Sequence, residues 1–385
     1  MAQKTPKKLA TKSNKNIKAT KKTSKKSSST SNNIFSKIVN WFKGLETINK
    51  VLVIIGVVLL LFVMQAYAIA YWYQKSHADE PLTFGVTFID NYAEYFDLDP
   101  KETMYALRDD LGFERFRLVS YWKDIETSPG VYDFSELDWQ FDAVNEVDGE
   151  VTLAIGLRQP RWPECHAPDW VVPEQKDVWY PQLEEFMTQV INRYKDNPAL
   201  VSYQLENEYL LGVFGECKDY GAERERIQDE FNLVKGLDPN TPIIMSYANN
   251  YFGVATSDPL PDQVGVSVYK TVYDFTVTKR YIEYPFTSWY YSWRAGIQQI
   301  LTGRDSMLHE LQTEPWTIND MKTSPVSEQD KTMDSERLAE RINYGVATGF
   351  RDIDMWGGEW WYWRKTALGD DSLWETVRTE TAKYQ

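Results

Sequence analysis

Val201-Ser202-Tyr203-Gln204-Leu205-Glu206-Asn207-Glu208-Tyr209 is the stretch on which the reading of the fold turns. A short apolar run of strand length leads straight into three polar residues, two of them carboxylates. A second stretch has the same grammar: Ser306-Met307-Leu308-His309-Glu310-Leu311-Gln312-Thr313-Glu314-Pro315-Trp316. Buried strands of parallel sheets read as near-continuous apolar runs, and their C-terminal ends are where barrel enzymes carry their chemistry. Asn145-Glu146 repeats the dipeptide inside a helical stretch, Ser135 to Glu146, so context separates Asn207-Glu208 from chance.

Working outward, similar runs recur at Leu82 to Phe88, Glu114 to Val119, Val151 to Leu157, Pro242 to Tyr247, Gln263 to Val268 and Arg351 to Trp356. With the two quoted runs they make eight. Amphipathic stretches separate them, at Pro100 to Leu111, Pro181 to Tyr194, Ala222 to Leu237 and Ser335 to Thr348. Eight strand-helix units in roughly 300 residues predict an α/β fold, a (β/α)8 TIM barrel over residues 82–385. The interval Asn249 to Asp262 holds prolines and a glycine and offers no helix.

The N-terminal part is of another kind. Residues 1–50 carry thirteen lysines and one glutamate, a net of +12, which leaves 26 negative charges on the remainder of a chain whose net charge is −14. Residues 1–48 are expected to form a disordered Lys-rich tail, because polar, apolar-poor segments cannot offset their ordering entropy. Residues 49–74 are expected to form a transmembrane helix acting as a signal anchor. The uncharged run 51–73 is long enough to cross a bilayer, with Trp41 and Phe42 before it and Tyr71, Trp72 and Tyr73 after it as interfacial anchors. The basic flank predicts a cytoplasmic N-terminus and an extracytoplasmic domain in a single-pass cell-membrane protein, joined by a linker at 75–81. A cleaved signal peptide is the competing reading, since Ala66-Tyr67-Ala68 and Ala68-Ile69-Ala70 resemble cleavage sites. Anionic lipid headgroups are the expected partner of the tail, and no nucleic acid is expected.

Cys165 and Cys217 fall in the segments after the third and fourth strands and are a disulfide candidate in an exported domain, against two unpaired thiols. The three histidines, His77, His166 and His309, show no metal-ligand spacing, so no metal or cofactor is expected.

Trp122-Lys-Asp-Ile-Glu126-Thr-Ser-Pro129-Gly130-Val-Tyr132-Asp-Phe134-Ser-Glu-Leu-Asp138 resembles the segment after the second strand in glycoside hydrolase families 42, 39 and 35. Together with Asn207-Glu208 and Glu314, it makes residues 82–365 resemble a clan A retaining glycoside hydrolase, of the family 42, 39 or 5 type. The resemblance implies Glu208 as general acid/base and Glu314 as nucleophile, hydrolysing β-glycosidic bonds of an oligo- or polysaccharide by double displacement, and the acidic charge of the domain points to a neutral one. It implies that Arg117 pairs with the nucleophile, that Asn207 bonds the sugar 2-hydroxyl, that Tyr269 orients Glu314 and that Trp356 forms the sugar platform. Trp316 and Trp360 are expected at substrate, Trp360 within the loop-like Gly357-Gly358-Glu359-Trp360-Trp361.

The residues leave alternatives open. Glu310 competes with Glu314 because it also lies on the seventh strand; Arg117, Tyr269 and Trp356 could each be packing residues. A cell-surface transglycosidase would use the same carboxylates. A catalytically silent carbohydrate-binding or attachment protein would keep only the barrel.

Overall fold

The computed structural model describes residues 30–209, 215–218, 220, 224–248 and 253–384. Its strands are β1 (Thr83–Thr87), β2 (Arg115–Val119), β3 (Glu150–Ile155), β4 (Leu200–Leu205), β5 (Ile243–Tyr247), β6 (Gln263–Val268), β7 (Thr271–Tyr273), β8 (Tyr281–Glu283), β9 (Asp305–Gln312) and β10 (Asp352–Trp356). Eight of them close a parallel barrel in the order β1-β10-β9-β6-β5-β4-β3-β2. All eight predicted strands are present, and β6 has the expected bounds.

Strands of this barrel are buried almost throughout, the burial that apolar runs without polar alternation require. The interior is not wholly apolar. Near the barrel base, Arg115 Nε donates to Asp354 Oδ1 at 3.0 Å, and His309 Nδ1 lies 2.7 Å from Asp354 Oδ2. Despite burial, Arg115 and His309 hold the Asp354 carboxyl down to about 2. Burial, with Arg117 nearby, presses His309 to about 4, so it packs as a neutral ring. Gly85 makes room for this cluster, since a Cβ there would stand 2.4 Å from Asp354 Oδ1.

Three departures from a regular barrel matter. Among the described residues between β5 and β6 there is no helix, as the prolines and glycine predicted. A two-stranded antiparallel hairpin, β7–β8, is inserted after β6; the sequence reading missed it. The predicted helix Pro100 to Leu111 is α-helical over Pro100–Tyr105 and closes as a π-turn over Ala106–Asp110.

The chain divides into two units, Met1–Phe62 and Val63–Gln385. In the first, residues 1–29 of the expected disordered tail lie outside the described residues. Its remainder departs from expectation: a helix occupies Thr30–Gly44. Ile34, Phe35, Ile38 and Trp41 fall at helical spacing there, which the tail's lysine count obscured. A second helix, Thr47–Ser76, is long and apolar enough to cross a membrane, and Leu52, Ile54, Ile55, Leu59, Leu60 and Leu61 along it are exposed.

In the second unit, the last part of that helix belongs to the barrel domain. Ala66, Ala70 and Tyr73 are buried, and Tyr73 donates its hydroxyl to Asp305 at 2.8 Å. The expected linker at 75–81 is therefore corrected: the helix runs to Ser76, and His77 is buried with Nε2 3.4 Å from Asp305. His77, Glu80 and Asp305 have ligand-type atoms within 4.8 Å of one another, a grouping invisible in sequence spacing.

Candidate active site

At the C-terminal ends of the strands lies a cavity of about 450 Å3, lined among others by Arg161, Glu164, Asn207, Glu208, Tyr269, Glu310 and Trp316. This volume is in the range of small-molecule sites. Its residues come from the ends of β4, β6 and β9 and from the segment after β3. The hairpin adds a second wall, through Val272, Tyr273, Phe275 and Ile282.

Arg117 organises the floor. Fully buried on β2, it donates from Nε to Gln204 Oε1 at 2.7 Å, from Nη1 to Glu310 Oε1 at 2.7 Å and from Nη2 to Asn207 Oδ1 at 3.0 Å. One guanidinium thus ties β2, β4 and β9 together. Tyr269 donates to the other oxygen, Glu310 Oε2, at 2.9 Å. The sequence reading expected Arg117 and Tyr269 on Glu314. Both are on Glu310 instead.

Glu314 is held differently. Trp356 Nε1 donates to Oε1 at 2.7 Å, Tyr92 donates to Oε2 at 3.2 Å, and Arg161 reaches both oxygens at 3.2 and 3.3 Å. Arg161 itself lies between two rings, 3.3 Å from the Tyr92 centroid and 4.4 Å from that of Trp356. Gly357 permits this packing: its φ is +132°, and a Cβ there would meet Glu314 Cβ at 2.7 Å. Trp356, expected as the sugar platform, is buried with its indole N–H donated to Glu314 and its ring against Arg161, and it is not among the residues that line the cavity.

Glu208 follows β4 through two residues in the left-handed region, Glu206 at φ 54° and Glu208 at φ 43°. Such non-glycine conformations cost about 1–3 kcal/mol and collect at functional sites. The turn is fixed from both sides. Glu206 accepts from the Leu157 backbone N–H at 2.7 Å and from Arg226, while the Glu208 backbone N–H donates to Ser246 Oγ at 2.8 Å. Asn207 accepts from Arg117 and Gln204 and donates to Glu164 Oε2 at 3.0 Å. Burial, then the neighbouring Glu310 and Glu164 carboxylates, push the Glu208 carboxyl up to about 8.

Glu164 and Arg161 are cavity residues that the sequence reading did not single out. Burial lifts Glu164 to about 7, against the pull of Arg158 and Asn207. Arg161 and Glu164 have φ of 78° and 73°, a tight turn that only its Pro160 and Pro163 neighbours hinted at. Cys165 and Cys217 form a disulfide with Cα atoms 5.2 Å apart, joining this turn to the segment after β4.

Of the expected tryptophans, Trp316 lines the cavity and packs edge-on to Tyr269, with ring centres 5.9 Å apart. Trp360 does not reach it. The loop-like cluster is the helix Gly358–Ala367; Trp360 is fully buried, donating to Gln329 Oε1 at 2.7 Å, and Trp361 is fully buried, donating to the Thr313 carbonyl at 2.8 Å. A helix start at Gly358 turns these rings into the core.

Fold and site together define a (β/α)8 barrel with a buried carboxylate pair, Glu208 and Glu310, at its mouth. No known protein-family profile matches the chain. Its structure is similar to family 5 subfamily 18 glycoside hydrolase from Bifidobacterium longum, with a TM-score of 0.54 at 11% identity over 79% of each chain. It is also similar to the exo-β-1,4-mannosidase Op5Man5 from an Opitutaceae bacterium, with a TM-score of 0.52 at 13% identity over 79% of this chain and 60% of that one. In sequence it matches β-galactosidase BgaH of Haloferax lucentense, 23% identical over 185 residues, 41% of this chain. The match spans only 26% of that relative's length. At these identities the likeness shows the barrel fold.

Proposed function

We propose that the chain is a retaining β-glycoside hydrolase, with Glu208 as general acid/base and Glu310, in place of Glu314, as nucleophile. The observation that carries this reading is the convergence of Arg117 and Tyr269 on Glu310 within a cavity that Glu208 also lines. Retaining hydrolysis needs one carboxylate to attack the anomeric carbon and one carboxylic acid to protonate the leaving oxygen. A charge-assisted bond from Arg117 suits Glu310 to the first task. Glu208, protonated at neutral pH, suits the second.

Attack by Glu310 forms the glycosyl–enzyme ester and expels the aglycone oxygen, which takes the Glu208 proton. Glu208, now a carboxylate, removes a proton from water; the hydroxide attacks the anomeric carbon and Glu310 leaves. Once the ester has formed, the Glu310 charge no longer opposes ionisation of Glu208. Asn207, whose amide borders the cavity, bonds a sugar hydroxyl beside the reacting carbon. Glu314 with Arg161 shapes the wall under Tyr92 and Trp356. The substrate is a neutral β-linked saccharide: Glu310 and Asp274 in the lining would repel an anionic sugar, and Arg161, the one cation among the described lining residues, is engaged by Glu314. The helix Thr47–Ser76 is a membrane span, with the domain extracytoplasmic and the lysine-rich tail against anionic headgroups.

Labelling with a panel of 2-fluoro glycoside inactivators, followed by peptide mapping, tests the assignment. The expected adduct is on Glu310. An adduct on Glu314 would overturn the choice of nucleophile, and no adduct with any sugar would count against the retaining mechanism.

A further inference from the structure

The cavity has two unlike sides. Arg161, Glu164, Asn207 and Glu208 line it from the segment after β3 and the end of β4, and each presents a charged or amide group. The hairpin follows β6, two strands round the barrel from β4 and three from β3. It contributes Val272, Tyr273, Phe275 and Ile282, with Tyr284 just beyond it. Val272 and Ile282 are directly paired across the two strands, so their side chains share one face, and both line the cavity.

The polar groups on the hairpin side are largely engaged within the protein. Asp274 Oδ1 accepts from the Thr276 backbone N–H at 2.9 Å and from the Thr276 hydroxyl at 2.7 Å, and Oδ2 accepts from the Thr278 hydroxyl at 2.8 Å. Thr276 lines the cavity too, but its hydroxyl proton is spent in that turn. Tyr273 donates its hydroxyl to the Lys279 carbonyl at 2.8 Å, and Tyr269 donates to Glu310. The backbone N–H of Asp274 goes to the Arg280 carbonyl at 2.9 Å, and that of Tyr284 to the Lys270 carbonyl at 2.8 Å. Tyr284 keeps a hydroxyl, within electrostatic reach of Glu208.

A pyranose ring carries hydroxyls around its edge, and each one buried without a partner is costly. The β3–β4 side supplies partners. The hairpin side supplies aliphatic and aromatic surface. With Asn207 bonding a hydroxyl beside the reacting carbon, the sugar sits on the β3–β4 side, and the leaving group extends past Glu208 along the hairpin.

We propose that the hairpin side of the cavity is an aglycone site for an apolar alcohol, so that the substrate is a neutral sugar β-linked to an alkyl or aryl group instead of to a second sugar. This rests on the glycosidase reading with Glu208 as the acid. The reaction keeps its balance: the bond from the anomeric carbon to the glycosidic oxygen breaks, that oxygen takes the Glu208 proton, and the apolar alcohol departs.

Methyl, butyl and hexyl β-glycosides of glucose, galactose and mannose test it on the full chain in lipid nanodiscs, beside the matching β-1,4-disaccharides. The leaving alcohols of the alkyl series have nearly equal basicity, so a change along it reports contact with the aglycone. For a sugar that is turned over, kcat/KM should rise at least about tenfold from methyl to hexyl through burial of methylenes, and the hexyl glycoside should exceed the disaccharide. Ile282→Asn should bring the hexyl-to-methyl ratio toward one. A ratio within one protein is insensitive to a general loss of activity, and enrichment of hexyl chains in the lipid is the same for both proteins. A flat series, or a ratio unchanged by Ile282→Asn, would overturn the aglycone site; a preferred disaccharide would overturn the substrate class. Turnover of none of them would overturn the glycosidase reading instead. Calorimetry with Glu208→Gln then decides the site by itself: tighter binding of hexyl than of methyl glycosides would support it, and equal binding would overturn it.

Discussion

Glu208 is stabilised by the fold in its protonated form, and two pH effects follow. As a general acid it must hold its proton, so kcat/KM should fall on the alkaline side as pH rises through about 8. A pH–rate profile with its alkaline limb near pH 5 would contradict the role. The stability effect has a definite sign. The folded value lies above the unfolded one, so stability is intact below about 4.5 and is lost progressively as pH rises toward 8. Glu208→Gln should therefore abolish turnover yet raise the melting temperature, with a gain that grows between pH 5 and 8. An equal shift at every pH would show that the carboxyl is not the cause.

At the scale of elements, the cavity depends on three irregular segments: the turn after β3, the turn after β4 and the hairpin after β6. The first two are tied by the Cys165–Cys217 disulfide, which closes a loop of 52 residues. Cross-links of that span contribute about 2–4 kcal/mol, chiefly by restricting the unfolded chain. Replacing both cysteines by serine should lower stability by that amount in a denaturant titration and weaken saccharide binding more than it slows bound substrate. Unchanged stability would mean that Glu206, Arg226 and Ser246 hold the turns unaided. The hairpin was legible in principle, since Thr271-Val272-Tyr273 and Tyr281-Ile282-Glu283 carry β-branched and aromatic residues on either side of Asp274. Its shortness, three residues per strand, leaves too little alternation to mark either strand.

For the molecule as a whole, the domain begins before its first barrel strand. A chain starting at residue 78 would remove the cover over Gly296 and leave Asp305 without Tyr73 and His77. We expect a chain starting at residue 63 to be the more stable by several kcal/mol, from burial of Ala66, Ala70 and Tyr73 at about 25 cal/mol per Å2 of apolar surface. Thermal unfolding of the two in detergent is the check, and equal melting temperatures would show the segment to be an accessory.

The sequence by itself determined the barrel, the eight strands and the apolar helix, because each is written in local periodicity. Only the tertiary structure decided whether Glu310 on β9 or Glu314 just beyond it lies beside Glu208. Glu310, Gln312 and Glu314 have the same parity, so alternation points all three the same way, and Glu310 and Glu314 would lie about 13 Å apart along a strand. β9 shifts register against both of its neighbours, β6 and β10, between Leu308 and Leu311, beside the carboxylate that reaches Arg117, and no local pattern records such a shift. The same holds for Trp360, turned into the core by a helix start.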